Sequence, residues 1–341
     1  MSIKKVRIGV NGFGRIGRLA ARIILGKPNL ELAAVNSRSE ASSHCYLLEY
    51  DSSYGKLDKT FKAEEKAFFV DGQKTDVYRE AEPGNIPWLN SGVDIVLEAS
   101  GKFRTQKELS AHLKENVKQV ILSAPAKDKT TTIVMGVNQQ TFDAQKDNII
   151  SNSSCTTNCL ANIIKPLTEN VGLKKVFMTT VHAITDSQNL LDNSHPKEER
   201  LRRSVLSSMI PSSTGSARDI VKLFPQLAGR ISCKAIRIPL STVSLIILTA
   251  ETEKGTDTEK LNGLFKRYAR IDQKDYLEVT QEKLVSVDFK GNPHSAIVDA
   301  SLTEVLENSL INLYAWYDNE WGYANRLIDL ALFTAQKRDM L

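Results

Sequence analysis

The stretch Gly12-Phe13-Gly14-Arg15-Ile16-Gly17 has the spacing G-x-G-x-x-G and decides the fold of the amino-terminal part of the chain. It follows a short apolar strand pattern at 6–11 and opens a helix pattern at 12–25. Glycines at this spacing permit a tight turn, a close approach of the backbone to a pyrophosphate, and close packing of helix against strand. The amino end of the helix adds free N–H groups and a favourable dipole. The sequence therefore predicts a dinucleotide site that uses Gly12, Gly14, Arg15, Ile16 and Gly17.

Strand and helix patterns alternate through the first half of the chain. Short apolar runs at 30–35, 93–98, 119–123 and 132–137 are bounded by Gly, Pro or polar residues. Such alternation is typical of a parallel, doubly wound sheet. We therefore predict an α/β fold with a Rossmann sheet.

The second half of the chain has a different pattern. A helix is predicted at 155–169, and β-rich runs follow at 176–181, 235–238 and 243–250. The segment 183–211 is long, polar and basic, and a loop of that length inside a compact domain is usually functional.

These patterns predict two domains. A chain of 341 residues exceeds the roughly 250–300 residues at which a single core stops growing. We assign a dinucleotide-binding domain to 1–153, completed by a C-terminal helix at 320–341. We assign to 154–319 an α+β catalytic domain with a mixed or antiparallel sheet.

The composition and charge of the chain indicate which classes of molecule it can bind. Apolar residues are 41% and charged residues 25% of the chain, and the net charge of +5 suits anionic small substrates such as phosphates. We expect no nucleic acid as a primary partner. The four cysteines match no zinc pattern, so we expect no metal. No signal-peptide pattern or membrane-length apolar run is seen, and we expect a cytoplasmic protein without a membrane partner.

A run of small polar residues, SNSSCTTNC at 151–159, surrounds Cys155. A hydrophobic core does not favour such a run. A helix that begins here places Cys155 at its amino end, where the helix dipole lowers a thiol pKa and favours the reactive thiolate. We therefore expect Cys155 to be a nucleophile and Cys159, one turn further on, to be a buried apolar residue.

A histidine closes the strand pattern at 176–181. A thiol nucleophile needs a base, and His182 stands where the chain leaves the core. From this position alone, a structural histidine is an equal alternative.

Five segments together resemble the glyceraldehyde-3-phosphate dehydrogenase family over essentially the whole chain. They are NGFGRIGR at 11–18, SNSSCTTN at 151–158, TTVHAIT at 179–185, IPSSTG at 210–215 and WYDNEWGYANR at 316–326. The resemblance implies phosphorylating oxidation of D-glyceraldehyde 3-phosphate to 1,3-bisphosphoglycerate with reduction of NAD(P). Cys155 is implied to form a thiohemiacetal and then a thioester, and His182 to take the proton.

The resemblance also implies two anion pockets. The pocket for the substrate's own phosphate involves Thr185 and Arg237. The pocket for the attacking phosphate involves Ser154, Thr156, Thr214 and Gly215. Arg203 aligns with a family arginine near these pockets. Ile184 and Ser187 depart from the family pattern and concern the shape of the substrate-phosphate pocket.

Further cofactor contacts are expected at Ser100, Ser123, Asn319 and Tyr323. Asn319 matches the family asparagine that binds the nicotinamide carboxamide, and Tyr323 packs near the ring.

Cofactor choice is read at the end of the second strand, where an acidic residue accepts hydrogen bonds from the ribose 2′-hydroxyl. NAD-specific members of the family end this strand in Asn-Asp, whereas this chain has Asn36-Ser37-Arg38. Asn193 and Ser194 replace a Leu-Pro pair that crowds a 2′-phosphate in NAD-specific relatives. We predict use of NADP, with NAD not excluded. The alternative is that Ser37 caps a turn while Arg38 points to solvent.

Competing functions remain open at this point. Erythrose-4-phosphate dehydrogenase is a sister family that shares the Cys and His motifs, and aspartate-semialdehyde dehydrogenase shares the broad plan but not SNSSCTTN. A nucleotide-binding redox sensor is the non-enzyme alternative. By resemblance we expect a homotetramer, with segment 183–211 as a subunit-interface loop.

Overall fold

The structure, a computed structural model, describes residues 5–114, 116–186, 188–196 and 198–341. The chain forms two compact units. The first runs up to Ser154 and is completed by Ala324–Leu341, and the second is Cys155–Tyr323. Within the described residues, no helix combines the length and apolar content that crossing a membrane requires.

The first unit is a doubly wound α/β unit. Its strands are β1 (Val6–Asn11), β2 (Leu30–Asn36), β3 (Tyr50–Asp51), β4 (Gly55–Lys56), β5 (Phe61–Ala63), β6 (Ala67–Val70), β7 (Gln73–Tyr78), β8 (Ile95–Glu98), β9 (Gln119–Leu122), β10 (Thr131–Thr132) and β11 (Ile149–Ser151). Its helices before the second unit are α1 (Arg15–Ile24), α2 (Ala41–Glu49) and α3 (Gln106–Leu109).

The main sheet of this unit has the order β10-β11-β9-β8-β1-β2-β7-β6-β5 over the described residues. Neighbours from β10 to β7 pair in parallel, and β8 and β9 are buried along their whole length. Near-continuous apolar strands are typical of a parallel sheet that is covered on both faces. The predicted Rossmann sheet is confirmed.

Two parts of this sheet differ from the sequence prediction. The apolar run at 132–137 is a strand only at its start, because Asn138 Oδ1 accepts from Val134 N at 2.7 Å and Asn138 Nδ2 donates to Thr132 O at 2.9 Å, which turns the chain. The antiparallel strands β5–β7 at the sheet edge were not foreseen, since β7 (QKTDVY) is too polar to give an apolar signal.

The second unit is built on a mixed sheet. Its elements are α4 (Cys155–Asn170), β12 (Leu173–His182), β13 (Ile210–Ser213), α5 (Ser216–Leu223), β14 (Ile231–Arg237), β15 (Ser244–Thr252), α6 (Thr258–Arg270), β16 (Leu277–Thr280), β17 (Ala296–Asp299), β18 (Glu304–Leu306) and β19 (Leu310–Tyr317). Helix α7 (Trp321–Lys337) ends the regular structure of the chain.

The sheet order in the second unit is β13-β14-β12-β15-β19-β17-β16, and β18 pairs with β19. β12 pairs in parallel with β14 and antiparallel with β15. β15 alternates buried and half-buried residues along its length, as expected when one sheet face lies on a core. The α+β character predicted for this part is therefore confirmed.

The start of α7 depends on one buried carboxylate. Asp318 Oδ1 accepts from the N–H groups of Glu320 and Trp321 at 3.0 and 2.9 Å and from Thr242 Oγ1 at 2.9 Å. Its Oδ2 accepts from Gly291 N at 2.8 Å, and the side chain is 1% exposed. Asp318 thus supplies acceptors for the amino end of α7 and for two loops of the second unit.

We expect Asp318→Ala to lower the free energy of unfolding by ~3 kcal/mol or more, because each buried donor left without an acceptor costs about 1–3 kcal/mol. Urea unfolding followed by circular dichroism measures this. The matched control is Asp288→Ala, which removes an exposed carboxylate bonded to the N–H of Val285, and it should cost about 1 kcal/mol or less. Equal losses in both variants would contradict the role given to Asp318.

Candidate active site

Helix α4 begins at Cys155, as the run of small polar residues predicts. The turn before it is tight, since Ser153 has φ +55° and is fully buried, and its N–H donates to Ser151 Oγ at 3.0 Å. Cys159 is fully buried one turn further along, which confirms its interpretation as a core residue. Cys155 itself stays partly exposed.

His182 is brought to Cys155 by the end of β12. The distance from Cys155 Sγ to His182 Nε2 is 3.6 Å, which is hydrogen-bonding distance for sulfur. The imidazole is 3% exposed. This geometry gives the thiol a base within reach of its proton.

Arg237 lies on the other side of His182. The parallel register of β12 and β14 pairs these two residues at the strand ends. Arg237 Nη1 is 2.6 Å from His182 Nδ1, and His182 Nδ1 is 2.7 Å from the carbonyl oxygen of Ala183. These contacts select opposite tautomers, because Arg237 needs Nδ1 as an acceptor and Ala183 needs it as a donor. Only the tautomer bonded to Ala183 leaves Nε2 free to accept the Cys155 proton.

Burial governs the ionisation of this cluster. Burial, and secondly the charge of Arg237, lower the pKa of His182 to about 3. Burial also raises the pKa of the Cys155 thiol above its ordinary value, against the lowering effects of Arg237 and of the Thr156 N–H at the helix start. The prediction of a lowered thiol pKa is therefore wrong, since desolvation outweighs the helix contribution.

Tyr317 is a site residue that the sequence analysis missed. Its hydroxyl lies 3.0 Å from Thr156 Oγ1 and 2.8 Å from Thr180 Oγ1, and its ring meets that of His182 edge-on at 6.0 Å. The residue is 1% exposed. The alternation of β19 places Tyr317 on the buried face, and an inward hydroxyl needs a polar partner there.

The residues expected to bind the attacking phosphate fall into two groups. Thr214 and Gly215 lie at the amino end of α5, where Thr214 Oγ1 is 2.9 Å from Ser216 Oγ and Gly215 is the N-cap. Thr156 is buried at the start of α4, and Ser154 directly precedes Cys155. Each group offers hydroxyls and N–H groups at a helix start, which suits an anion.

The residues expected around the substrate's phosphate are less closely grouped. Thr185 donates through N and Oγ1 to Gln188 Oε1 at 3.1 and 3.5 Å. Arg203 has a side chain that is 68% exposed, and its Nε contacts Asp192 Oδ2 at 3.1 Å. The structure thus places Arg203 in the surface loop with an acidic partner, whereas Arg237 contacts His182. Ser187 lies outside the described residues.

Asn319 and Tyr323 follow β19 in the second unit and are 4% and 5% exposed. Asn319 Oδ1 accepts from Ser244 Oγ at 3.0 Å, and Ser244 Oγ accepts from Ala183 N at 3.1 Å. Tyr323 and Cys155 line the same small cavity. Asn319 is therefore connected to the segment that carries His182.

In the first unit, the glycine-rich turn has the shape that a dinucleotide needs. Gly12 has φ +93°, and a Cβ there would collide with the backbone of Ser100. A Cβ on Gly17 would collide with the carbonyl oxygen of Gly12. Around Gly14, the N-cap of α1, nothing lies within 4 Å of the Cβ position, so a ligand can approach the backbone.

The remaining residues of this turn and the neighbouring strand ends surround the same edge of the sheet. Arg15 is ion-paired with Asp51, and Ile16 is half-buried in the first turn of α1. Ser100 donates from N and Oγ to Glu98, and Ser123 N donates to Glu98 O at 2.9 Å. The carboxyl ends of β8 and β9 are thereby joined.

The end of β2 carries exposed cationic side chains. Ser37 N donates to Tyr78 O at 3.0 Å, and Arg38 is exposed. Arg79, also exposed, donates through Nε to the carbonyl oxygen of Arg38 at 3.1 Å. A second guanidinium therefore lies beside the Ser37-Arg38 turn, which the sequence did not reveal because the pairing of β2 with β7 creates it.

Comparison with known proteins agrees with this geometry. The glyceraldehyde 3-phosphate dehydrogenase NAD binding domain matches residues 6–106, and the C-terminal domain of the same family matches residues 154–319. Glyceraldehyde-3-phosphate dehydrogenase 1 of Bacillus cereus is 41% identical over 97% of this chain and 99% of its own length. The Geobacillus stearothermophilus enzyme is 41% identical with the same coverage, and glyceraldehyde-3-phosphate dehydrogenase 1 of Trichormus variabilis is 40% identical over 98% of both chains.

The chain belongs to the glyceraldehyde-3-phosphate dehydrogenase family. Its amino-terminal match is to an NAD binding domain, so a nicotinamide dinucleotide is the cofactor class. The resemblance stated from the five sequence segments is confirmed.

For this family member, we expect Arg237→Met to raise the pKa of Cys155, because the guanidinium charge lowers it. Alkylation of the cofactor-free protein by iodoacetamide should then be several-fold slower at neutral pH, with its rise displaced to higher pH. The pH dependence of the alkylation rate measures this.

The control for that experiment is Arg230→Met, which removes an exposed arginine next to β14 that pairs with Glu253. Its alkylation profile should match that of the wild type. A wild-type profile in Arg237→Met would show that the guanidinium does not act on the thiol.

Proposed function

We propose that the protein catalyses phosphorylating oxidation of D-glyceraldehyde 3-phosphate to 1,3-bisphosphoglycerate, with reduction of NAD(P). The supporting observation is the 3.6 Å contact between Cys155 Sγ and His182 Nε2 at the start of a helix, in a chain of this family. Thiol and imidazole at this distance form a nucleophile with its base.

Cys155 attacks the aldehyde carbon through its sulfur and gives a thiohemiacetal, while His182 Nε2 accepts the proton. The lowered pKa of His182 keeps the imidazole neutral near pH 7, so it is ready to accept a proton. Because burial raises the pKa of Cys155, the thiol holds its proton until the sulfur attacks the carbonyl carbon and His182 Nε2 accepts that proton. The first N–H groups of α4 stabilise the negative oxygen that develops.

A bound nicotinamide would supply the acceptor for the hydride that leaves the thiohemiacetal carbon as the thioester on Cys155 forms. Asn319 would orient its carboxamide, and Tyr323 would pack near the ring. The turn at Gly12, Gly14 and Gly17 receives the pyrophosphate on the amino end of α1. Open space above Gly14 supports this fit.

Inorganic phosphate then cleaves the thioester and releases the acyl phosphate. Ser154, Thr156, Thr214 and Gly215 supply hydroxyl and N–H donors for the attacking phosphate, and Thr185 and Arg237 serve the phosphate of the substrate, with Arg203 proposed near these pockets. When Arg237 turns to that phosphate it releases His182 Nδ1, which then donates to Ala183. This selects the tautomer in which Nε2 accepts the Cys155 proton.

The assembly and compartment are also proposed. A homotetramer is supported by large apolar side chains that are exposed in the single chain, among them Leu191 (73%) and Met209 (75%) in the segment 183–211 and Phe177 on β12. A reducing, cytoplasmic compartment is supported by the four free thiols.

The test of the reaction is its dependence on phosphate. With glyceraldehyde 3-phosphate, the rate of NAD(P)H formation should rise and saturate with inorganic phosphate, and arsenate should substitute. Thr214→Val should raise the KM for phosphate about tenfold, since one charge-assisted hydrogen bond is worth roughly 1.5–3 kcal/mol. Ser213→Ala, an exposed hydroxyl on the neighbouring residue, is the control.

The same assay separates the proposal from its rivals. A rate that does not depend on phosphate, together with faster turnover of erythrose 4-phosphate, would contradict the proposed reaction and favour erythrose-4-phosphate dehydrogenase activity. Cys155→Ser should lose several orders of magnitude in turnover while still binding dinucleotide. Turnover that survives this substitution would remove Cys155 from the mechanism.

Cofactor choice is proposed to extend to NADP. Ser37 can bond either a hydroxyl or a phosphate, and the exposed guanidinium groups of Arg38 and Arg79 beside it support contact with a 2′-phosphate. No carboxylate stands at Ser37 to repel that phosphate.

We expect the wild type to use NADP at least comparably to NAD, and Ser37→Asp to shift the ratio of kcat/KM toward NAD by about tenfold or more. Ser39→Asp, which adds the same charge two residues further on at an exposed position, should shift it much less. Arg79→Ala should weaken NADP use and spare NAD use. A wild type that ignores NADP refutes the roles of Ser37, Arg38 and Arg79 and leaves the catalytic proposal untouched.

A further inference from the structure

A buried carboxylate stands at the carboxyl end of β8, behind the glycine-rich turn. Glu98 is fully buried, and four donors converge on it. Its Oε1 accepts from Ser100 N at 2.8 Å and from Ser100 Oγ at 2.5 Å. Its Oε2 accepts from Asn11 Nδ2 at 2.5 Å and lies 3.1 Å from His112 Nε2.

The hydrogen bond from Trp88 determines which ring nitrogen of His112 carries the proton. The indole Nε1 of Trp88 can only donate, and it lies 3.1 Å from His112 Nδ1. Nδ1 is therefore an acceptor, so the ring proton is on Nε2 and points at Glu98. All four groups around the carboxylate are donors, and each oxygen accepts two of them.

Three of these four donors, from Asn11 and Ser100, lie on the two segments that flank Gly12. Asn11 directly precedes Gly12, and the backbone of Ser100 occupies the place that a side chain at position 12 would need. Glu98 therefore bonds both segments that flank Gly12. Its Oε1 accepts from Ser100, and its Oε2 accepts from Asn11. The close approach of the Ser100 backbone to Gly12 depends on the absence of a side chain at Gly12. It also depends on the contacts of Glu98 with Asn11 and Ser100.

The network continues to the end of β2. Asn36 Nδ2 donates to Asn11 Oδ1 at 2.8 Å, and Asn36 Oδ1 accepts from Glu80 N at 2.8 Å. Ser37, the residue proposed to meet the adenosine ribose, follows directly. A series of side-chain hydrogen bonds from Glu98 to Asn11 to Asn36 thus joins the carboxyl ends of β8, β1 and β2.

We propose that Glu98 is a positioning residue for the dinucleotide, and that it acts through Asn11 and Ser100 by holding the Gly12 turn and the Ser37 turn in the shape that receives pyrophosphate and ribose. This rests on the proposed function, because it concerns the cofactor of that reaction. Glu98 does not touch the reacting atoms.

The role requires a carboxylate. Glutamine at this position has one acceptor oxygen and one NH2 group, so the NH2 group faces two donors whichever way the amide is turned. Either Ser100 or the Asn11–His112 side loses its acceptor, and the turn on that side is no longer fixed. Buried polar networks that are only partly satisfied lose their geometry.

The experiment compares Glu98→Gln with the wild type in three measurements on the full chain. We expect the Kd for NAD and for NADP, from titration calorimetry, to rise about tenfold or more, which corresponds to about 1.4 kcal/mol. We expect kcat at saturating dinucleotide to stay within about threefold, because the groups around Cys155 are unchanged. Alkylation of Cys155 by iodoacetamide without cofactor should proceed at the wild-type rate.

A matched control separates positioning from general loss of stability. Thr75→Val removes a buried hydroxyl that donates to Leu32 O at 2.9 Å in the same sheet, away from the glycine-rich turn. It should lower the melting temperature without changing the Kd. An equal rise in Kd in Thr75→Val, or an unchanged Kd in folded Glu98→Gln, overturns the proposal.

A milder variant covers the case in which Glu98→Gln does not fold. Asn11→Ala removes the link to the Gly12 turn and leaves Glu98 bonded to Ser100 and His112, so the Kd should rise in the same direction. An unchanged Kd in Asn11→Ala counts against the proposal. A wild type that binds neither NAD nor NADP would instead contradict the proposed function itself.

Discussion

Desolvation of the Cys155–His182 pair is the constraint on which the chemistry of the second unit depends. Burial raises the pKa of the Cys155 thiol and lowers the pKa of the His182 imidazole, so it favours the neutral form of both groups. The positive charge of Arg237 opposes burial at Cys155 and adds to it at His182. Arg237 therefore favours the thiolate form of Cys155 and the neutral form of His182.

Hydroxyl groups supply polar contacts beneath the helix start that carries Cys155. Thr156 and Thr180 each bond the Tyr317 hydroxyl beneath the helix start, and these contacts add no negative charge there. A carboxylate beside the imidazole would raise its pKa and turn it into a cation, which cannot accept a proton. In the first unit the situation is reversed. Glu98 is buried there among four donors, which its two oxygens bind on both sides of the glycine-rich turn.

Much of the fold and part of the site could be predicted from local pattern. The G-x-G-x-x-G turn, the apolar strands and the polar run around Cys155 each reflect a requirement that acts within a few residues, such as φ +93° at Gly12 or a helix start at Cys155. Where local pattern was ambiguous, the prediction failed in an understandable way. The apolar run at 132–137 forms a turn after its first residue because the Asn138 side chain makes hydrogen bonds to the backbone of Thr132 and Val134. Strand β7 is too polar to be recognised as a strand from its sequence.

The sequence by itself determined the fold class and the family, and it named Cys155 and His182, because repeated local motifs carry that information. Only the tertiary structure decided which distant residues meet. The parallel register of β12 and β14 brings Arg237 to His182, and the pairing of β2 with β7 brings Arg79 to Arg38. The structure also decided the direction of the Cys155 pKa, since burial is a property of everything packed around a sulfur, whereas the helix start that argued for a lower pKa is local to the chain.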